Sequence, residues 1–234
     1  PGQRTESFVL LSALGGECIE DMEKLRQDKG LEAMLRYQIP AAETARQWLD
    51  RFHNEQSMAC RPQQGAFIPV ESAPLAGLRE PVRQVIWSYI EKMKPGREVT
   101  LDVDAHLVET SKANAFYSYS GKKAFQPIEV EWAETGLVLG EEFRQGNVLA
   151  GTDMKRVVDE AYDMLPAGDW QVKVRSDSAA YQQDVLDYWH GRTWHFAVSA
   201  DMSIHLRQAI EALPADVWHL WYTEKGGMVR EWAE

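Results

Sequence analysis

At Glu98 the apolar residues change their spacing, and that change constrains the chain more than any other feature. Before it, residues 81–94 carry Val82, Val85, Ile86, Tyr89, Ile90 and Met93 at intervals of three and four, which predicts a helix that Pro95-Gly96 ends. After it, residues 99–108 alternate. Val99, Leu101, Val103 and Ala105 share one face of a predicted strand, and Asp102, Asp104 and His106 share the other. Residues 125–133 predict a second strand, Glu134-Thr-Gly136 a turn, and residues 137–144 a third strand, so these two are expected to form a hairpin. Helix then alternates with strand: helix 151–165, strand 170–176, helix 181–190, strand 193–198 and helix 203–213. A further strand pair is expected at 217–223 and 228–232, around Lys225-Gly-Gly227.

The order β-β-β-α-β-α-β-α predicts an α/β domain with an RNase H-like core. Its first three strands form an antiparallel meander, and later strands enter through helices and lie parallel to the first. The first and fourth strands then become neighbours in a mixed sheet. Residues 1–60 read as an all-α N-terminal region, with helices over 6–14, 17–27 (stopped by Gly30), 31–36 and 44–53. The turn at Pro40-Ala-Ala-Glu43 gives it a weak likeness to a helix-turn-helix that could contact DNA, and an ordinary helical bundle is the plainer reading. Residues 61–97 hold Pro62, Gly65, Pro69 and Pro74 and read as a linker followed by a helix. The domain expected from 98 to 234 is the core.

Two aspartates carry the candidate chemistry. Asp104 is expected in the middle of the first strand, within Leu101-Asp-Val-Asp-Ala-His106, and Asp177 just past the fourth, within Val174-Arg-Ser-Asp-Ser-Ala-Ala180. Carboxylates on adjacent strand ends can share Mg²⁺, which takes few carboxylates and fills its shell with water and phosphate oxygens. Two such ions activate a water and stabilise the leaving oxygen of a phosphoryl transfer. A plainer reading stays open: Asp102 and Asp104 as the solvent face of a strand, and Asp177 as a helix cap.

Composition narrows the classes. The chain has 234 residues, and no apolar run approaches the ~18 needed to span a membrane. Cys18 and Cys60 are its only cysteines, so neither a disulfide framework nor a structural zinc site is expected. A net charge of -11 argues against a simple nucleic-acid binder but leaves room for local basic patches. The sequence starts at Pro1 without Met and stops at Glu234, so a fragment of a longer protein is expected.

Several blocks, in order and spacing, resemble transposases of the IS1380 group within the IS4-like DDE superfamily. They are Leu14-Gly-Gly-Glu-Cys-Ile-Glu-Asp21 with Leu25-Arg-Gln-Asp28; Ile39-Pro40 with Thr44 and Phe52-His53; Leu101-Asp-Val-Asp-Ala105; Tyr119-Ser-Gly-Lys122 with Phe125-Gln-Pro127; Ala133-Glu-Thr-Gly-Leu137 with Phe143-Arg-Gln-Gly-Asn147; and Arg175-Ser-Asp-Ser-Ala-Ala-Tyr181. The resemblance implies Mg²⁺- or Mn²⁺-dependent cleavage and transfer of double-stranded DNA, at element ends and target, by a bacterial, nucleoid-associated cytoplasmic enzyme acting as a homodimer. By it, Asp104 and Asp177 are the catalytic metal ligands, with Asp102 the runner-up for the first or its partner. Lys112, Lys122 and Lys123 are expected at DNA phosphates. Two departures stand out. His106 replaces the family's Thr, and Ala124-Phe125 its Gly-Tyr. The third acid, a Glu on a late helix, has no convincing match in Glu211, Glu224 or Glu231, so it is expected beyond Glu234 and this fragment is expected to be inactive alone. The alternatives are an inactive or domesticated transposase that still binds DNA or a partner, and an unrelated acidic α/β protein whose Asp104 and Asp177 lie apart or pair with Arg or Lys.

Overall fold

The computed structural model describes residues 2–52, 55–223 and 229–233. The predicted turn at Lys225-Gly-Gly227, Glu224 and His53 lie outside them. The N-terminal region folds as α1 (Gly2–Ala13), α2 (Met22–Gln27), α3 (Lys29–Leu35), α4 (Ala42–Leu49) and α5 (Glu55–Ala59). Gly30 does not stop a helix here. The break is at Asp28, whose backbone is extended and whose carboxylate accepts from Leu31 N at 2.9 Å, so it caps α3 and leaves Gly30 inside. Leu11, Met22, Ile39 and Ala45 form a small core, and Trp48 packs between Phe8 and Phe52 beside it.

Helix α6 (Ala73–Met93) begins eight residues before the position where Pro81 was expected to open it. Ser72 caps it, accepting from Leu75 N at 3.3 Å, and Pro74 sits in the first turn, where no amide hydrogen is needed. Leu75 and Leu78 carry the three-and-four spacing back across Pro81, so the proline is accommodated within one continuous helix.

The central sheet contains β1 (Glu98–Ala105), β5 (Ile128–Trp132), β6 (Leu137–Glu142), β7 (Gln171–Ser176) and β8 (His195–Val198), in the order β6-β5-β1-β7-β8. β5 pairs antiparallel with β1 and with β6, while β7 runs parallel to β1 and β8 parallel to β7. A mixed sheet of this kind fits an RNase H-like fold. The expected strand over 125–133 is two strands. Pro127 has no amide hydrogen to give to a ladder, and the chain changes sheets there. Its first part, β4 (Lys123–Phe125), joins β2 (Val108–Glu109) and β3 (Phe116–Tyr117) in a separate three-stranded sheet, order β2-β4-β3.

Alternation in β1 buries Val99, Leu101 and Val103, as expected from the sequence. They pack with Val130, Trp132 and Val174 of the sheet, Val157, Val158 and Ala161 of α7 (Met154–Tyr162), Ile86 of α6 and Trp189 of α8 (Gln183–Gly191). α7 lies so close to β6 that a Cβ on Gly140 would come within 3.0 Å of the Ala161 Cβ. Beyond β8 come α9 (Ile204–Glu211) and an antiparallel pair, β9 (Trp218–Thr223) and β10 (Val229–Ala233). Among the described residues no helix is long and apolar enough to cross a membrane.

A chain of ion pairs ties α6 and α7 to the sheet. Arg79 bonds Glu71 at 3.1 Å and Glu160 at 2.8 Å; Arg156 bonds Glu160 at 3.1 Å and Glu142 at 2.7 Å; Arg144 bonds Glu142 at 2.6 Å. Burial works to raise the pKa of Glu160, but Arg79 and Arg156 outweigh it and hold the carboxyl below its ordinary value. Arg175 does the same for Asp102. A carboxyl depressed in the folded state stabilises the fold above its unfolded pKa and loses that contribution as the pH falls through the folded value. Thermal midpoints measured across a pH series should therefore hold steady near neutrality and fall steadily below ~pH 4. A midpoint that rises on acidification would contradict the assignment of these pairs.

Candidate functional site

The parallel ladder of β1 and β7 sets the site. Its register runs from Glu98 opposite Gln171 to Val103 opposite Ser176, and Asp104 and Asp177 are each the next residue on their strands. Asp177 keeps extended backbone angles (φ -71°, ψ -167°), so β7 continues its direction through it. Val103 and Ser176 face the core. The next side chains therefore leave the opposite face, at the same level, from strands roughly 4.8 Å apart. Both aspartates are exposed. Asp104 lies next to the end of its strand rather than in the middle.

Each carboxylate is held by one backbone bond. Asp104 Oδ1 accepts from Ala105 N at 2.9 Å. Asp177 Oδ1 accepts from Ala179 N at 2.9 Å and so caps the 3-10 turn Ser178–Ala180. That turn is fastened in its place. Gln182 Nε2 donates to Ala179 O at 2.8 Å and to Gly151 O at 2.9 Å, and a Cβ on Gly151 would meet Ala179 O at 2.3 Å. Neither aspartate forms an ion pair among the described residues, and each keeps an oxygen free of the bonds just named. An exposed pair of this type matches Mg²⁺ or Mn²⁺, which use few protein carboxylates alongside water and phosphate oxygens.

Asp102, one row down on the same face, is differently placed. Arg175 on β7 grips it with two nitrogens, Nε to Oδ1 at 3.0 Å and Nη2 to Oδ2. The other neighbour of Asp104 is Glu129 on β5, opposite it in register, and Glu141 of β6 lies opposite Glu129. No signal in the sequence marks Glu129, because its place beside Asp104 follows from a pairing of β1 with β5 across the intervening segment 106–127. Among the described residues no group of three His, Cys, Asp or Glu converges closely enough to hold a metal unaided.

His106 is exposed and makes no ion pair with Asp104 among the described residues. Lys122 pairs with Glu109 at 2.6 Å, Lys123 Nζ donates to Ala113 O at 3.1 Å, and Lys112 makes no ion pair among the described residues. Glu211 ends α9 and Glu231 lies on β10, both exposed. Asn147 Nδ2 donates to Gly65 O at 2.6 Å, and Trp189 is fully buried in the main core.

The model of the family described as Transposase DDE domain group 1 matches residues 6–233, and the chain belongs to that family. No curated protein matches it. Among solved structures it is similar to a piggyBac transposase synaptic complex with hairpin DNA (TM-score 0.45, 11% identity, 98% of this chain and 50% of that one). It is also similar to a Mos1 transposase paired-end complex with the left transposon end (TM-score 0.32, 14% identity, 82% and 57%). A third is a Drosophila P element transposase strand transfer complex (TM-score 0.32, 13% identity, 92% and 49%). The chain thus spans about half the length of these structures.

Proposed function

We propose that this chain carries the catalytic core of a DDE transposase of the IS1380 group, which cuts double-stranded DNA at insertion-element ends and joins it to a target. The sheet order β6-β5-β1-β7-β8 is read as the full RNase H-like order, with residues 98–234 as the core, 61–97 as linker and helix, and 1–60 as a helical region that contacts DNA. The observation that supports the site is the β1–β7 register, which runs to Val103 opposite Ser176, the residues just before Asp104 and Asp177.

Asp104 and Asp177 act as the carboxylates that hold Mg²⁺ or Mn²⁺. When bound, the divalent ions activate the attacking water or 3′-hydroxyl and neutralise charge building on the phosphoryl oxygens. The chain's own contribution is placement. The backbone bonds from Ala105 and Ala179 orient each carboxylate, and Gln182 fixes the turn that orients Asp177. Arg175 engages both oxygens of Asp102 and keeps it ionised. Asp102 is therefore read as the partner of Arg175 beside the pair, with Asp104 as the first ligand. Double-stranded DNA is the substrate, the enzyme works as a homodimer on it, and the setting is a bacterial cytoplasm.

A second reading, a transposase-derived module that binds DNA or a partner without cutting, is favoured by His106 at the family's Thr position and by the net charge of -11. Mn²⁺ titration of the full chain, followed by electron paramagnetic resonance, tests the site directly. Binding at low-millimolar concentration or better is expected, and it should disappear in an Asp104→Asn, Asp177→Asn double variant. Equal binding by that variant would sink the assignment.

A further inference from the structure

The three-stranded sheet between β1 and β5 is not needed to build the carboxylate pair, yet it emerges from the end of the central sheet where that pair sits. His106 N bonds Pro127 O at 3.2 Å, at the point where β1 leaves and β5 returns. The inserted segment, residues 106–127, has Lys112, Lys122 and Lys123 against a single acid, Glu109, in a chain whose total charge is -11.

Two tyrosines stand out from it. Tyr117 is 65% exposed and Tyr119 82% exposed. Neither exposure comes from a slack loop. Tyr117 pairs with Lys123 across the β3–β4 ladder, and the Lys123 ammonium lies 6.0 Å from the centre of its ring. Tyr119 occupies the turn from Ser118 to Gly121, closed by Gly121 N to Ser118 O at 3.0 Å and Ser118 N to Lys122 O at 2.8 Å, with Gly121 at φ +75°. The Ser118 and Ser120 hydroxyls, 2.8 Å apart, brace the same turn. From below, Gly146 packs so tightly that a Cβ there would meet Ala124 O at 2.5 Å and Ser118 Cβ at 3.3 Å. At the side, Arg61 lies 3.8 Å over the Phe116 ring and bonds Asn114 O at 2.6 Å. Large exposed rings on a braced backbone among lysines form a surface for stacking bases while the ammonium groups meet phosphates.

We propose that this subsidiary sheet is a docking platform for an unpaired DNA strand, with bases stacked on Tyr117 and Tyr119 and phosphates on Lys112, Lys122 and Lys123. The inference rests on the transposase reading, which supplies the DNA, and it adds a single-stranded segment next to the carboxylates. The Lys122–Glu109 pair is fully at the surface and exchanges readily for a phosphate contact, since exposed pairs contribute little. Stacking on tyrosine is indifferent to base identity, so the platform grips any sequence.

The test is binding of a fluorescein-labelled oligothymidylate to the full chain in EDTA, followed by anisotropy. Tyr117→Ala with Tyr119→Ala should weaken binding roughly ten- to a hundredfold, and Tyr117→Phe with Tyr119→Phe should keep it near wild type. Lys112→Ala should flatten the salt dependence, with its logarithmic slope reduced by ~0.7. Mn²⁺ binding should be unchanged in the tyrosine variants. Oligonucleotide binding equal to wild type in the alanine double variant, or no binding by the wild type, overturns the platform and leaves the metal site standing. Tyrosine-dependent binding by a chain that takes up no Mn²⁺ supports the platform and removes the metal site.

Discussion

Replacing Asp104 or Asp177 by Asn is expected to lower metal-dependent DNA strand cleavage by the intact protein by about a thousandfold. Asparagine preserves the size of the side chain and the backbone bond each residue accepts at 2.9 Å, so the fold should be untouched. What goes is the negative charge that holds a divalent ion. Charge stabilisation by such ions amounts to several kcal/mol of barrier, at ~1.4 kcal/mol for each tenfold in rate. The pair acts as one unit, so the double variant should be little worse than either single one. Single-turnover cleavage of a labelled duplex in Mn²⁺ decides the matter. A variant cutting within tenfold of the wild type would remove that residue from the site.

The largest loss of stability is expected from Glu142→Ala. Glu142 joins Arg144 to Arg156, and Arg144 is only 1% exposed. Without Glu142, the Arg144 guanidinium would keep, among the described residues, the Ala150 carbonyl at 3.4 Å. Stranding a buried charge in this way costs about 3–5 kcal/mol. Arg144→Met should be milder, because it removes the charge itself and leaves Glu142 paired with Arg156. Glu109→Ala, at the exposed pair with Lys122, should cost under ~1 kcal/mol. Urea unfolding should show the midpoint of Glu142→Ala shifted at constant slope. A midpoint within error of wild type would show that the network contributes nothing to the fold.

Much of the central sheet was legible from side-chain period. The alternation of Val99, Leu101 and Val103 gave β1 its buried face, and the runs around Val172 and Val174, and around Ile128 and Val130, gave its neighbours. The errors have physical causes. β2 and β3 are two residues each, too short to show a period. Pro127 was visible, but the apolar residues on both sides hid the change of sheet. Pro81 looked like a start because a proline in mid-helix is costly, while the stronger signal was the cap at Ser72. At the site, spacing alone left Asp104 and Asp177 open between a metal pair and a strand face with a helix cap; only the family blocks around them singled them out, and Asp104 was expected in mid-strand, whereas it sits one residue from the end of β1. The grip of Arg175 on Asp102, the position of Glu129 and the brace from Gln182 were not legible, since each depends on register between segments far apart in the chain.

That separation has a consequence for how the protein comes to be. Asp102 and Arg175 are 73 residues apart in sequence, and the strands bearing the two aspartates meet only through a parallel pairing. Contacts between such distant segments form late and slowly, after the entropy of closing a long loop has been overcome. During synthesis the first strand must wait, with its ladder edge open, for the seventh to leave the ribosome. An ion gripped by both strands, as proposed for the aspartate pair, would favour the closed state over the open one.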